Sequence, residues 1–224
     1  MLKSFLLVLL MGVVGSRPVV AGLLVNGDFQ TGGFSGWTLY TTPSGVAGLG
    51  FEGLPAVAPF DTTGSGASLA AQFNVGQIDH FASGTTQEGG GIFQNIVTGA
   101  GILALHADIA TFFDCQGICS GNGDAGRYAL MLDGIELTST SLGDIGTPQI
   151  LRSSLDASAG VGAGVHEIRI QITRGFQAPG SIGGSFEMAE NVDNVSVTLS
   201  PEPGSLVLLV LGGMVLKLRR GIRL

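Results

Sequence analysis

Side chains able to do chemistry are few in this chain of 224 residues, and their spacing first narrows what it can do. His80, His106 and His166 lie far apart, no pair of them has zinc-protease spacing, and no Gly-x-Ser-x-Gly elbow occurs. Cys115 has no histidine close in sequence to act as its base. Two carboxylates on different strands could still approach each other as in glycoside hydrolysis, but no stretch resembles a catalytic motif. The chain therefore reads as non-enzymatic. Asn26, Asp28 and Asp193 supply the oxygen donors a hard cation such as calcium takes, and they would converge if the first and last strands were neighbours; otherwise the two aspartates are surface or turn-capping residues. Trp37 and Tyr40 could form an aromatic platform for a sugar, although a lone tryptophan beside a first strand also reads as a core or edge-sealing residue. Residues 48–53 and 121–126 formally match a dinucleotide-binding fingerprint, but neither lies between a clear strand and a clear helix, so both read as turns.

The composition says how such residues must be held. Charged residues make up 12% of the chain, and the net charge of -7 excludes a nucleic-acid partner, which would need a basic stripe to replace phosphate counterions. With 38 glycines the chain favours tight turns over long surface helices. That points to an all-β body.

The body divides into short apolar segments ended by glycine or polar clusters. Residues 23–25 read as a first strand, 68–74 as another, and 92–98 and 102–110 as consecutive antiparallel strands rich in β-branched residues. Asp133-Gly134 between residues 128–132 and 135–138 predicts a two-residue β-hairpin. Residues 166–174 alternate strictly, which puts Ile168, Ile170 and Ile172 on the core face and Glu167, Arg169 and Gln171 toward solvent or a groove. Residues 189–199 close the body. Eight or nine such strands with no long helix pack best as an antiparallel jelly-roll β-sandwich over residues 22–199.

Both ends read as targeting segments. Residues 1–21 have the positive flank, apolar core and small-residue site of a signal peptide, so the chain is expected to meet signal peptidase and be exported. In an exported protein Cys115 and Cys119 are expected to form a small disulfide ring; a metal or redox role would need further thiols or nearby histidines. Residues 200–224 begin with Pro201, Glu202 and Pro203, which cannot continue a strand or helix. An apolar run at 206–216 follows, then Lys217, Arg219, Arg220 and Arg223, a short transmembrane helix with its basic end in the cytoplasm. The run is shorter than the roughly 20 residues of a comfortable span, which suits a temporary anchor.

This Pro-Glu-Pro, apolar helix and arginine cluster (Pro201, Glu202, Pro203, Arg219, Arg220) resembles the PEP-CTERM sorting signal of bacterial exported proteins. The resemblance implies an exosortase as partner, a transient stay in the inner membrane, and delivery to the cell surface or the extracellular polysaccharide matrix. The opening Asn-Gly-Asp-Phe-Gln-Thr-Gly…Gly-Trp at 26–37 and the closing Val-Asp-Asn-Val-Ser-Val at 192–197 resemble β-sandwich modules of the galactose-binding and carbohydrate-binding type. Those modules imply a structural calcium tying the last strand to the first loop; Gln30 stands where they usually carry glutamate. The resulting expectation is a structural or carbohydrate-binding matrix protein. A secreted hydrolase on the same scaffold and a permanently membrane-tethered sensor domain are the alternatives.

Overall fold

A computed structural model describes residues 23–48, 53–77, 87–115, 123–175 and 186–201. The expected signal peptide and nearly all of the expected sorting tail lie outside these residues. Among the described residues no helix is long and apolar enough to cross a membrane.

The strands in chain order are β1 (Thr38–Thr41), β2 (Gly45–Val46), β3 (Ala56–Phe60), β4 (Ser68–Phe73), β5 (Gly76–Gln77), β6 (Glu88–Thr98) and β7 (Gly101–Cys115). They continue with β8 (Gly123–Asp124), β9 (Arg127–Leu132), β10 (Ile135–Ser141), β11 (Asp144–Ile145), β12 (Gln149–Val161), β13 (Gly164–Arg174) and β14 (Phe186–Pro201). Two five-stranded antiparallel sheets result, β1-β6-β13-β9-β10 and β12-β7-β14-β4-β3, with β11-β8 and β2-β5 as small extra pairs. From β4 to β14 the main strands alternate between the two sheets except at the β9–β10 hairpin. That crossing pattern is the jelly roll, with β1 and β3 added at the edges.

Alternation accounts for the core. Ile168, Ile170 and Ile172 are all fully buried, as the sequence pattern expects, and they pack with Leu103, Leu105, Ala107 and Ile109 of β7 from the facing sheet. Asp133 (φ 51°) and Gly134 (φ 77°) make the expected hairpin turn, whose positive φ values suit the right-handed twist of the strands on either side.

Three departures from the sequence reading have physical reasons. Residues 23–25 form no strand: a glutamine side chain takes the place of a ladder, since Val25 N–H donates to Gln94 Oε1 at 2.7 Å and Gln94 Nε2 donates back to the Val25 carbonyl at 3.0 Å. Pro201 belongs to the final strand, opposite Gly101, and does not begin a free linker. β12, a long strand, is not evident in the sequence because its core-facing positions are filled by Ser153, Ala157 and Ala159 as often as by large apolar residues.

A buried hydroxyl pair ties the sheets near one end. Tyr128 Oη donates to the Ala110 carbonyl at 2.8 Å and lies 2.7 Å from Thr111 Oγ1, which donates to the Ala125 carbonyl at 2.6 Å. Burial pushes the Tyr128 hydroxyl well above its ordinary pKa, so it stays a neutral donor. Tyr128→Phe is expected to cost about 1–2 kcal/mol, read as a lowered denaturation midpoint with unchanged m-value.

Candidate functional site

The sheet formed by β1, β6, β13, β9 and β10 has an outer face away from the core, and its register brings distant residues together. Tyr40 of β1 stands opposite Gly91 of β6, which stands opposite Gln171 of β13. Gly91 has no side chain, so the Tyr40 hydroxyl can reach across it to Gln171 Oε1, 3.3 Å away. One step along the strands, Phe93 stands opposite Arg169, and one step further Asn95 stands opposite Glu167.

These side chains form a stacked polar and aromatic cluster. The Arg169 guanidinium carbon lies 4.3 Å from the Tyr40 ring centre and 5.5 Å from that of Phe93, and the two rings meet edge to face at 6.2 Å. Glu167 Oε1 accepts from Arg169 Nε at 2.9 Å and Nη2 at 2.8 Å, which fixes the guanidinium over the rings. Burial raises the Tyr40 pKa against the opposing pull of Arg169, so its hydroxyl remains a neutral donor and acceptor at physiological pH. Aromatic rings, a guanidinium, a carboxylate and two amides on one open face can take apolar sugar C–H faces and hydroxyl groups together.

The other sequence candidates have different placements. Trp37 is only 7% exposed, stacks on Phe29 with ring centres 6.0 Å apart, and donates its Nε1–H to the Asn26 carbonyl at 2.9 Å. It seals the core, as the alternative reading of a lone tryptophan holds, and offers no platform. Tyr40 therefore joins Phe93 and Arg169, with no part for Trp37. Asn26 folds its own loop: Nδ2 donates to the Gly33 and Ser35 carbonyls, and Oδ1 accepts from Thr31 N–H.

The first loop and last strand do lie side by side. Val195 N–H donates to the Gly27 carbonyl at 2.8 Å, and a β-carbon on Gly27 would come 2.0 Å from the Val195 carbonyl oxygen, so only glycine permits this approach. A register shift in β14 between Asp193 and Ser196 presents that backbone to the loop. Asp193 is fully buried and its carboxylate accepts from Ser68 Oγ and from Asn194 N–H. Burial raises its pKa, and the charges of Asp108 and Asp28 push in the same direction, so three carboxylates share this corner. Asp28 Oδ1 also accepts from Gln30 N–H at 3.3 Å. Among the described residues no group of three or more His, Cys, Asp or Glu side chains is arranged to hold a metal ion. For a hard cation the donor chemistry of Asp28 and Asp193 fits, whereas the Asn26 side chain is committed to its loop.

Cys115 ends β7 opposite Phe186, while Cys119, His80, Glu202, Pro203, Arg219 and Arg220 lie outside the described residues, and with them the expected disulfide and sorting signal. His106 and His166 sit on different sheets, each against aspartate: His106 contacts Asp156 at 2.8 Å and Asp108 at 3.3 Å, and His166 contacts Asp133 at 2.7 Å. Of this cluster the sequence singled out only Tyr40 as a binding residue; it placed Glu167, Arg169 and Gln171 on one face without a role, and it gave no signal for Asn95 or Phe93. Phe93 had the least to find it by. It sits in a continuous apolar-rich run, and only the register with Arg169 gives it a role.

No protein-family model matches this chain, and no curated protein matches it. The solved structures it resembles in fold include several carbohydrate-binding module β-sandwich domains and an adhesin domain of Lys-gingipain. TmCBM61, solved in complex with β-1,4-galactotriose, is 14% identical, with 81% of this chain and 100% of that chain covered and a TM-score of 0.45. The CBM22-1 xylan-binding domain of Paenibacillus barcinonensis Xyn10C is 9% identical over 83% of this chain and 99% of that one, with a TM-score of 0.40. A family 35 carbohydrate-binding module from Clostridium thermocellum is 14% identical over 75% and 95%, with a TM-score of 0.35. Likeness this distant carries no ligand across, and the chemistry of the site rests on its own residues.

Proposed function

We propose that this chain is an exported, non-catalytic β-sandwich protein that binds polysaccharide through the Tyr40–Phe93–Arg169 face. An exosortase acting on the tail would place it at the cell surface or in the extracellular polysaccharide matrix. The carrying observation is the guanidinium stacked on two rings, flanked by Glu167, Gln171 and Asn95 on one sheet face. Support for sorting comes from the order of Pro201, Glu202 and Pro203, the apolar run and the arginines in the sequence. A glycan array run beside a hydrolysis screen tests the binding reading. Retention of a glycan without product release supports it, and released product would point to the hydrolase. Alanine at Glu202 and both flanking prolines should hold the protein in the membrane, and unchanged release would remove the sorting reading.

A structural calcium is part of the same proposal, held by Asp28 and Asp193 between the first loop and the last strand. The ion would offset the repulsion among these carboxylates and Asp108. Millimolar calcium is expected to raise the melting temperature of the wild type and not of Asp193→Asn, measured by calorimetry; equal response in both would exclude this site.

A further inference from the structure

The four outer edges of the two sheets differ in how well they are protected against pairing with another strand. β1 has 4 residues; β3 has 5 and carries Pro59; β10 has 7 and slips register between Glu136 and Thr138. Shortness, proline and bulges are the usual devices that blunt an edge. β12 has none of these three; of the remaining device, charge, it carries one residue of each sign. It runs for 13 residues, and its ladder with β7 is unbroken from Gln149↔Phe113 to Val161↔Gly101. Among the described residues, no backbone hydrogen bond joins its other side to anything.

The charges on this edge have a symmetry. Arg152 and Asp156 are the only charged residues of β12; they lie two places on either side of Ser154, have opposite signs, and both point to the exposed outer face. We propose that β12 pairs antiparallel with β12 of a second copy of this chain, about a two-fold axis through Ser154. In that register Arg152 of each copy faces Asp156 of the other, an opposite-charge cross-strand pair made twice. On the core-facing side Leu151 faces Ala157 and Ser153 faces Leu155, large against small. Moving the axis to the neighbouring residue on either side puts serine or isoleucine opposite the charges, so only one register pairs them. Within one copy Arg152 donates from Nε to the Asp61 carbonyl at 2.9 Å and from Nη2 toward Asp61 Oδ2 at 3.4 Å, while Asp156 accepts from Ser154 Oγ at 3.0 Å and meets His106 at 2.8 Å. These are solvent-accessible links of small energy that the pairing across the axis would replace or share. The two sheets that contain β12 would then be continuous across the dimer. Two copies would also present two Tyr40 faces to one polymer, which raises avidity without any new sugar contact.

Cysteine cross-linking of the full chain in mild detergent tests the pairing. The axis puts the two copies of residue 154 roughly 4.5–5.5 Å apart between α-carbons, inside the roughly 4.4–6.8 Å a disulfide spans. Ser154→Cys should therefore give a dimer on oxidation, and Ser141→Cys at the exposed edge of β10 should not. Adding Arg152→Asp to Ser154→Cys should cut the dimer yield severalfold, and adding Asp156→Arg to both should restore it. Equal yield at the two cysteine positions, or a yield indifferent to the charge changes, overturns the proposal. A chain that stays monomeric because another protein's extended segment fills the edge overturns it as well. Glycan binding by the monomer is independent of all these outcomes, so failure here leaves the sugar-face reading untouched.

Discussion

Alanine in place of Arg169 is expected to weaken polysaccharide binding by about 2 kcal/mol, roughly 30-fold in Kd, the scale typical of a central arginine anchor. The guanidinium is stacked 4.3 Å from the Tyr40 ring centre and held by Glu167, so its removal takes away a charge-assisted donor and one wall of the stack. Tyr40→Ala should cost a similar amount, because the ring and its hydroxyl contact to Gln171 go together. The double variant should lose less than the sum of the two, since each side chain positions the other. Arg169 and Tyr40 both project from the outer face and neither belongs to the buried core, so the melting temperature should move little in either single variant. His106→Gln on the opposite sheet serves as the control and should bind normally. Titration calorimetry against the glycan selected on the array makes the measurement. Wild-type affinity in both single variants would remove this face from the function.

The second large effect concerns stability against pH. Glu190 is fully buried; Val75 N–H donates to its Oε2 at 3.0 Å, Oε1 has no hydrogen-bond partner, and Arg174 Nε lies 3.9 Å away. Burial outweighs the attraction of Arg174 and raises the Glu190 pKa from 4.5 to about 7. The folded protein therefore holds a proton that the unfolded chain has already released. Stability from this group is complete below 4.5 and is lost as pH rises through about 7, and the shift corresponds to about 3 kcal/mol. Glu190→Gln keeps the shape and an acceptor for Val75 without the titration. Its unfolding free energy should match wild type near pH 4.5 and exceed it at pH 8, flattening the curve. A residual fall with the same sign belongs to His166, whose pKa is raised by its hydrogen bond to Asp133. Denaturant titrations of both proteins at several pH values decide it. An unchanged slope in Glu190→Gln would show that the carboxylate is already ionised across this range.

These two sites were legible to different degrees. Glu167, Arg169 and Gln171 could be assigned to one face from strict alternation alone, because side chains in a strand change sides at every residue. Glu190 carried no such signal: a carboxylate between Ala189 and Asn191 has no local feature that marks it as buried, and only the packing of β14 between β7 and β4 buries it.

Local chemistry settled the rest of what could be read directly. Asp133-Gly134 specifies its turn because the backbone angles needed there are cheap for those two residues, and the isoleucines at 168, 170 and 172 select the buried face because burial of three branched side chains outweighs any local preference. Tertiary structure alone decided which strands became neighbours. It set Tyr40 beside Gln171, 131 residues away, buried Trp37 against Phe29, and turned the small residues of β12 into a long edge. A side chain's own chemistry and period fix its direction along the chain, but its partners depend on register between segments that no local interaction couples.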